Sequence, residues 1–215
     1  KDRDQEIYLE LAYTIYHERP VITRSVKVLN RTRESIVLEK IASMQTDLTN
    51  SGIYDEVISL PGAHLRERQI HREPIHSGIQ SFESRRGASS HHMNSFIALV
   101  NHDTNEISGP AIGIHLVYSG NHAFQLEKDQ IDQVRVLAGI NDYNFSWSLS
   151  PGEVFQTPEV IMAYSDQGLN GMSGSLHHLL RERVARGMHQ FKDRPNLVNN
   201  WEATYFDFDS QKIKQ

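Results

Sequence analysis

Arg194-Pro195-Asn196-Leu197-Val198-Asn199-Asn200-Trp201-Glu202-Ala203-Thr204-Tyr205-Phe206-Asp207-Phe208 decides how the chain divides. Pro195 ends whatever precedes it, and Leu197 and Val198 favour extended backbone. Trp201, Glu202, Thr204 and Tyr205 then crowd aromatic and polar groups where a strand gives way to a loop. The pattern predicts a strand over 196–201 that looks like one strand of an enzyme barrel; in a (β/α)8 barrel its end lies at the ligand-facing rim. Ser210 to Gln215 has the composition of a first helical turn. A barrel strand without neighbours exposes backbone donors and acceptors, so this end of the chain is expected to need something that covers it.

Working back from Pro195, Leu176, Leu179, Leu180, Val184 and Met188 recur at three- and four-residue spacing, opposed by Arg181, Glu182, Arg183 and Arg186. That predicts one amphipathic helix over 173–190, capped by Ser173 or Asn170 and unable to continue past Pro195. Before Asp166 the period changes to two. Ile7, Leu9, Leu11, Tyr13 and Ile15 alternate with Glu6, Glu10 and Thr14, the pattern of a half-buried strand over 6–16. Comparable segments follow at 21–30, 35–48, 54–60, 64–72, 94–101, 111–119, 122–128, 132–140, 144–149 and 158–164. Turn residues such as Asn50-Ser51-Gly52, Pro61-Gly62, Ser119-Gly120-Asn121 and Pro151-Gly152 separate many of them. So many strands without intervening helices predict an antiparallel β-sandwich.

At 215 residues with 38% hydrophobic content, the chain is long enough for one large all-β domain and a short appendage. A net charge of −5 with both signs interspersed leaves no basic face for nucleic acid and no polybasic membrane anchor. No run approaches the length of a membrane span, and Lys1-Asp2-Arg3-Asp4 is unlike the start of a secretion signal. With no cysteine there is no disulfide framework and no thiolate metal site. The expectation is a cytoplasmic protein with no nucleic-acid or membrane partner.

The Asn199–Phe208 run resembles the opening of the catalytic barrel in α-galactosidases of glycoside hydrolase family 36. The resemblance continues upstream through Pro151–Val160, Tyr164–Ser173 and Arg181–Gly187. It then extends to Leu116–Asn121, Arg85–His91 and Leu60–Arg68, so it covers nearly the whole chain in order. Two places depart from the family pattern: Met93 and Ser95 interrupt a His-Asn-Pro-Phe-Ile-Ala-Leu run, and His64 stands where relatives often carry Trp. The resemblance implies a sandwich domain over 1–165, a linker and helix over 166–194, and the first β/α segment of a barrel over 195–215. It also implies more sandwich before Lys1 and seven more barrel units after Gln215. The function it implies is hydrolysis of terminal non-reducing α-D-galactosides, such as melibiose and raffinose-type oligosaccharides, by a retaining double displacement. That chemistry needs two carboxyl groups and no cofactor. In the family both are aspartates on later barrel strands, so no catalytic residue is expected here. A homo-oligomer is expected, tetramers being common among bacterial relatives.

Two residues are candidates for substrate binding. Trp201, at the predicted strand end, presents an indole that can stack on a pyranose face; the other reading is a core tryptophan sealing a domain junction. His64, after the Pro61-Gly62 turn, can hydrogen-bond a sugar hydroxyl where relatives place an aromatic; the other reading is a solvent-facing surface histidine. Arg66 and Arg68 suit sugar hydroxyls or surface ion pairs. His91-His92 is expected to point to opposite faces of a strand, and His177-His178 to diverge around a helix, so neither pair predicts a metal site. Gly168-Leu169-Asn170-Gly171-Met172-Ser173-Gly174 lacks the Gly-Lys-Ser/Thr ending of a P-loop. Asp207-Phe208-Asp209 lacks the later residues of a calcium loop. Glu202 reads as a structural carboxylate. The alternatives to a glycosidase segment are a galactoside-binding or oligomerisation sandwich, or part of a related α-N-acetylgalactosaminidase or galactosyl-transferring enzyme.

Overall fold

The computed structural model of the chain describes residues 6–48 and 51–214. The readings of Lys1–Asp4 and of the turn at Asn50 lie outside them. The alternating segments fold as strands β1 (Ile7–Ile15), β2 (Val21–Asn30), β3 (Ile36–Leu38), β4 (Ala42–Leu48), β5 (Glu56–Pro61), β6 (His71–Pro74) and β7 (Gly78–Glu83). They continue as β8 (Met93–Val100), β9 (Ala111–Leu116), β10 (His122–Lys128), β11 (Val134–Ile140), β12 (Trp147–Leu149), β13 (Val154–Gln156) and β14 (Val160–Ser165). Every strand ladder is antiparallel. A large sheet runs β1-β2-β14-β9-β8-β5-β6, with β13 also on β2; a four-stranded sheet runs β4-β11-β10-β7; β12 and β3 form a ribbon.

The main core cluster is shared by the two larger sheets, and a smaller one gathers around Val28, Leu149 and Phe155. Ile97, Leu99, Ile114, Leu116 and Val160 from the large sheet meet Met44, Phe82, Phe124, Leu126 and Val136 from the small one. This is the antiparallel sandwich that the alternation predicts. Contacts divide the chain after His178, inside the segment 166–194 assigned as linker, into a unit Lys1–His178 and a unit Leu179–Gln215.

A helix, α1 (Gly168–Leu179), lies on the outer face of the large sheet. Small residues make room for it. Ala163, Gly113 and Ala98 stand in one cross-strand row, and a Cβ at Gly113 would overlap Met172 Sδ and crowd Leu176. Met172 and Leu176 are buried there. The start of α1 is set by backbone rather than by a side-chain cap: the amides of Gly168, Leu169 and Asn170 donate to the carbonyls of Gly109, Asn105 and Glu106 at 2.9–3.0 Å. That loop is itself held by Arg72. Its guanidinium pairs with Glu56 and donates to the carbonyls of Thr104, Asn101 and His102.

Several sequence expectations are corrected. The helix predicted over 173–190 begins at Gly168, because the 105–109 carbonyls take its first amides, and its regular part ends at Leu179. One wider turn, Leu180–Val184, follows, and Gln190 Nε2 then donates to the carbonyls of Arg181 and Glu182. Met188 is therefore outside the helix, 75% exposed. The strand predicted over 64–72 is replaced by a tight hairpin followed by β6, because Leu65 and Arg68 take positive φ values of 67° and 50°. The single strand predicted over 35–48 divides into β3 and β4, which join different sheets. β7 and β13 were not foreseen. β1 is a strand as predicted, but its apolar side is not half-buried: Leu9 is 59% and Ile15 75% exposed, because four strands cannot cover the inner face of eight.

The predicted barrel strand over 196–201 is absent. Residues 195–200 have no regular structure, and Trp201–Thr204 makes a single helical turn, α2. A strand has no hydrogen bonds of its own, and among the described residues none pairs with this segment. Local bonds win instead: Asn199 Oδ1 accepts from Trp201 N at 3.0 Å and Asn200 Nδ2 donates to Thr204 Oγ1 at 2.8 Å. The unpaired strand edge expected here consequently does not exist. The helical turn predicted from Ser210 forms as α3 (Ser210–Lys214).

Candidate functional site

His64 sits at the tip of a two-stranded turn in the first unit. Ala63 and Arg66 exchange backbone hydrogen bonds at 3.0 and 3.2 Å, and Gln69 N closes the base on Pro61 O at 2.8 Å. The imidazole is exposed, as both readings of His64 require. Glu67 stiffens the tip by accepting from Leu65 N at 3.1 Å. Hydrogen bonds from its own amide and from Leu65 hold its carboxyl below the usual carboxylate range, aided by His64 and His91 and opposed by burial.

The hairpin packs against the turn that leads into β8. Gly62 N donates to His92 O at 3.1 Å, and a Cβ on Gly62 would lie 2.6 Å from His91 O and 2.7 Å from both Arg66 O and Arg68 N. All three are backbone atoms, so no rotamer change relieves the overlap. Gly62→Ala is expected to open this corner, costing about 1–3 kcal/mol as overpacking does. Amide exchange would check it: the Gly62 and Gln69 amides speed up while those of Ile97 and Val136 stay protected.

The second wall is also fixed in place. Ser89 N donates to Ser119 O at 2.8 Å, Gly87 N to Asn121 Oδ1 at 2.7 Å, and His92 N to Ser90 Oγ at 3.2 Å. His91 and His92 lie in a turn, not on a strand, so their rings approach to 4.3 Å instead of pointing apart. Burial, with Arg86 and His91 close by, pushes the His92 imidazole below its ordinary value. Among the described residues no group of three or more His, Asp or Glu side chains is placed to hold a metal ion. Between the walls lies a 230 Å³ cleft lined by Glu67, Arg68, Ser89, Ser90, His91 and Asn94, with Ser95 behind. The expectation of a strand at His91-His92 did not point to this cleft. The run of small turn residues Gly87-Ala88-Ser89-Ser90 was the available signal.

Trp201 belongs to the second unit and is described within it. It opens α2, is 48% exposed, and meets Tyr205 and Phe206 edge-on at ring distances of 5.4 and 4.9 Å. It is thus a half-open aromatic face. Asp209 accepts from the amides of Gln211 and Lys212 at 2.9 and 2.8 Å, which makes it the cap of α3, and Asp207 pairs with Lys212 at 3.0 Å. These bonds give both aspartates structural work. No helix among the described residues is long and apolar enough to cross a membrane.

Residues 1–150 match the glycosyl hydrolase family 36 N-terminal domain and residues 154–215 match the Melibiase family. The chain is 55% identical over 213 residues to alpha-galactosidase 1 of Pediococcus pentosaceus, covering 99% of this chain. It is 56% identical over 214 residues to alpha-galactosidase Mel36A of Lactobacillus acidophilus, covering all of it. In both cases it spans 29% of the relative's length. Among solved structures, a variant of the family 36 alpha-galactosidase AgaA from Geobacillus stearothermophilus in complex with stachyose superposes with a TM-score of 0.89 at 52% identity, over 96% of this chain and 29% of that one. With 150 of 215 residues on the family's N-terminal domain, the chain belongs to glycosyl hydrolase family 36.

Proposed function

We propose that this chain is the sandwich, linker and barrel-opening segment of a retaining α-galactosidase. It would cleave terminal non-reducing α-D-galactosides, including melibiose and raffinose-type oligosaccharides. The observation that carries the reading is the unbroken likeness through two consecutive family segments, at more than half identity to named alpha-galactosidases. Relatives in complex with stachyose and with raffinose support the substrate class. The domain limits proposed are 1–165, 166–194 and 195–215. Trp201 supplies a stacking face for a pyranose ring and His64 a hydrogen bond to a sugar hydroxyl, both in binding rather than bond cleavage. The structural employment of Asp207 and Asp209 supports placing the catalytic carboxyl pair outside these residues. A cytoplasmic homo-oligomer is the expected setting, and the exposed apolar side of β1 leaves surface for further polypeptide to cover.

The test compares this 215-residue chain with the full-length polypeptide that carries it, on p-nitrophenyl α- and β-galactosides. The chain alone is expected to show no turnover, and the full-length protein to cleave only the α-anomer and to release α-galactose first, as retention demands. Turnover by the chain at its own mass of 24.6 kDa would put the catalytic pair inside it. A full-length protein inert on the α-anomer would end the reading.

A further inference from the structure

Both ring nitrogens of His102 face carboxylate oxygens: Nδ1 lies 2.8 Å from Asp55 Oδ2, and Nε2 lies 3.2 Å from Asp103 Oδ2. A carboxylate only accepts, and a neutral imidazole carries a single N–H. The two contacts are therefore both hydrogen bonds only when the ring is an imidazolium. We propose that the 101–109 loop is a proton-tightened latch on the first turn of α1, with His102 as its titrating group and Asp55 and Asp103 as its two holds. The latch does not depend on which glycoside the full-length protein cleaves.

One end of the latch is fixed to the sandwich. Asp55 N donates to Val100 O at 3.1 Å and Asp55 O accepts from Ile75 N at 2.8 Å, so the ends of β8 and β6 hold its backbone. Its Oδ1 accepts from His102 N at 2.7 Å, on the same carboxylate that faces the ring. Beyond His102 the loop is stiff. Thr104 N donates to Asn101 O at 2.8 Å and Thr104 Oγ1 to Pro110 O at 2.9 Å, while Asn105 Oδ1 accepts from the amides of Ile107 and Ser108 at 3.0 and 3.1 Å. A stiff loop carries a displacement at His102 to the carbonyls of Asn105, Glu106 and Gly109, which take the first amides of α1. The helix start has no slack to absorb it: Gly168 holds a φ of 67°, and a Cβ there would overlap Asn105 O and Ser108 N.

The charged groups around the ring come from three elements. Asp55 and Glu56 stand at the start of β5, Asp103 lies in the loop, and Arg72 of β6 is engaged with Glu56 and the carbonyls of Asn101, His102 and Thr104. The hydrogen bond to Asp55 and then the charge of Asp103 raise the imidazole above its ordinary value, with Glu56 adding and burial opposing. The latch is accordingly closed below about pH 6.5 and loosens as pH rises through the raised value, when the ring keeps one N–H for two carboxylates.

The experiment is amide exchange on the 15N-labelled chain near about pH 6 and about pH 8.5, on either side of the transition, each rate being divided by its intrinsic rate to give a protection factor. Gly168, Leu169 and Asn170 are expected to lose protection about two- to fivefold at the higher pH, the scale of an exposed ion pair. Ile97 and Val136 should lose none. The 15N signals of the His102 ring should show it doubly protonated past about pH 6.5. His102→Gln should hold the three amides at the lower protection at both pH values. Arg72→Met frees three loop carbonyls and should speed the same amides about tenfold at either pH, with the pH difference retained. The proposal is overturned if the parent chain protects the three amides equally at both pH values, or if Ile97 and Val136 share the loss. Retention of the pH difference by His102→Gln, a ring already neutral below about pH 6.5, or unchanged amides in Arg72→Met would overturn it equally.

Discussion

Replacing Phe124 with alanine is expected to lower the stability of the sandwich by about 3–5 kcal/mol, the usual cost of deleting a buried aromatic side chain. Phe124 has no exposed surface and lies on β10 in the cluster that joins the two sheets, with Leu116, Phe82 and Val136 in the same cluster. Its loss removes transfer free energy and leaves a cavity that β10 cannot close, because it is fixed by ladders on both sides, with β11 and with β7. For a chain of this length each kcal/mol moves the thermal midpoint by about 2–4 °C, so a fall on the order of 10 °C is anticipated. Circular dichroism melting curves would measure it. Val37→Ala, on the exposed side of the β3 ribbon strand, provides the control and should stay within about 0.5 kcal/mol. Equal shifts for the two variants would contradict the assignment of the core.

The second large effect is acid sensitivity. His122 is fully buried beside Phe124, and neither of its ring nitrogens makes an aligned hydrogen bond. Burial pushes its imidazole below the ordinary value, with the Gly120 and Asn94 carbonyls and the Glu83 carboxylate opposing and His115 adding to the effect. His115 is likewise lowered by burial, opposed by its hydrogen bond to Ser95 O at 3.0 Å. Both are therefore neutral in the fold under conditions where the unfolded chain, with ordinary values near 6.5, already takes up protons. The unfolded state binds more protons below that pH, so stability is full above about pH 6.5 and falls as pH drops toward the folded values. The slope is at most about 1.4 kcal/mol per pH unit for each histidine.

His102 runs the other way. Its hydrogen bond to Asp55 and the nearby Asp103 raise its value, so its contribution is full below about pH 6.5 and is lost as pH rises through the folded value. Its exposure keeps that contribution small. Urea unfolding between pH 7 and pH 5 would show the net loss. His122→Phe should lessen the slope by the part that His122 supplies, and an unchanged slope would remove His122 from the account.

How much was legible beforehand depends on where each element's stabilisation comes from. β2, β8, β9, β10 and β11 were readable because their own side chains alternate or run apolar strongly enough to specify a buried strand. β7 was not: it is short, largely polar and at a sheet edge, and its strand character comes from pairing with β10. The helix was readable through Leu176, yet its beginning was not, since loop carbonyls on another part of the chain set it. His64 was visible as a turn residue, while the cleft beside it was marked only by the run of small turn residues Gly87–Ser90. Its walls come from segments separated by β6 and β7, and only tight backbone crossing at Gly62 brings them together.

The sequence by itself determined an all-antiparallel sandwich and a change of character after Asp166, because side-chain periodicity is a local property that each segment carries. It also determined the family, because ordered runs such as Asn199–Phe208 carry that information without reference to contacts. Only the tertiary structure decided the rest. It placed α1 on a row of small residues, left β1's apolar side open under a smaller partner sheet, and turned residues 195–204 into loop and helical turn. The reason is common to all three: a backbone hydrogen bond in a sheet, and a buried face on either element, needs a partner from elsewhere in the chain. Periodicity states what a segment can offer, and the partner determines whether the offer is used.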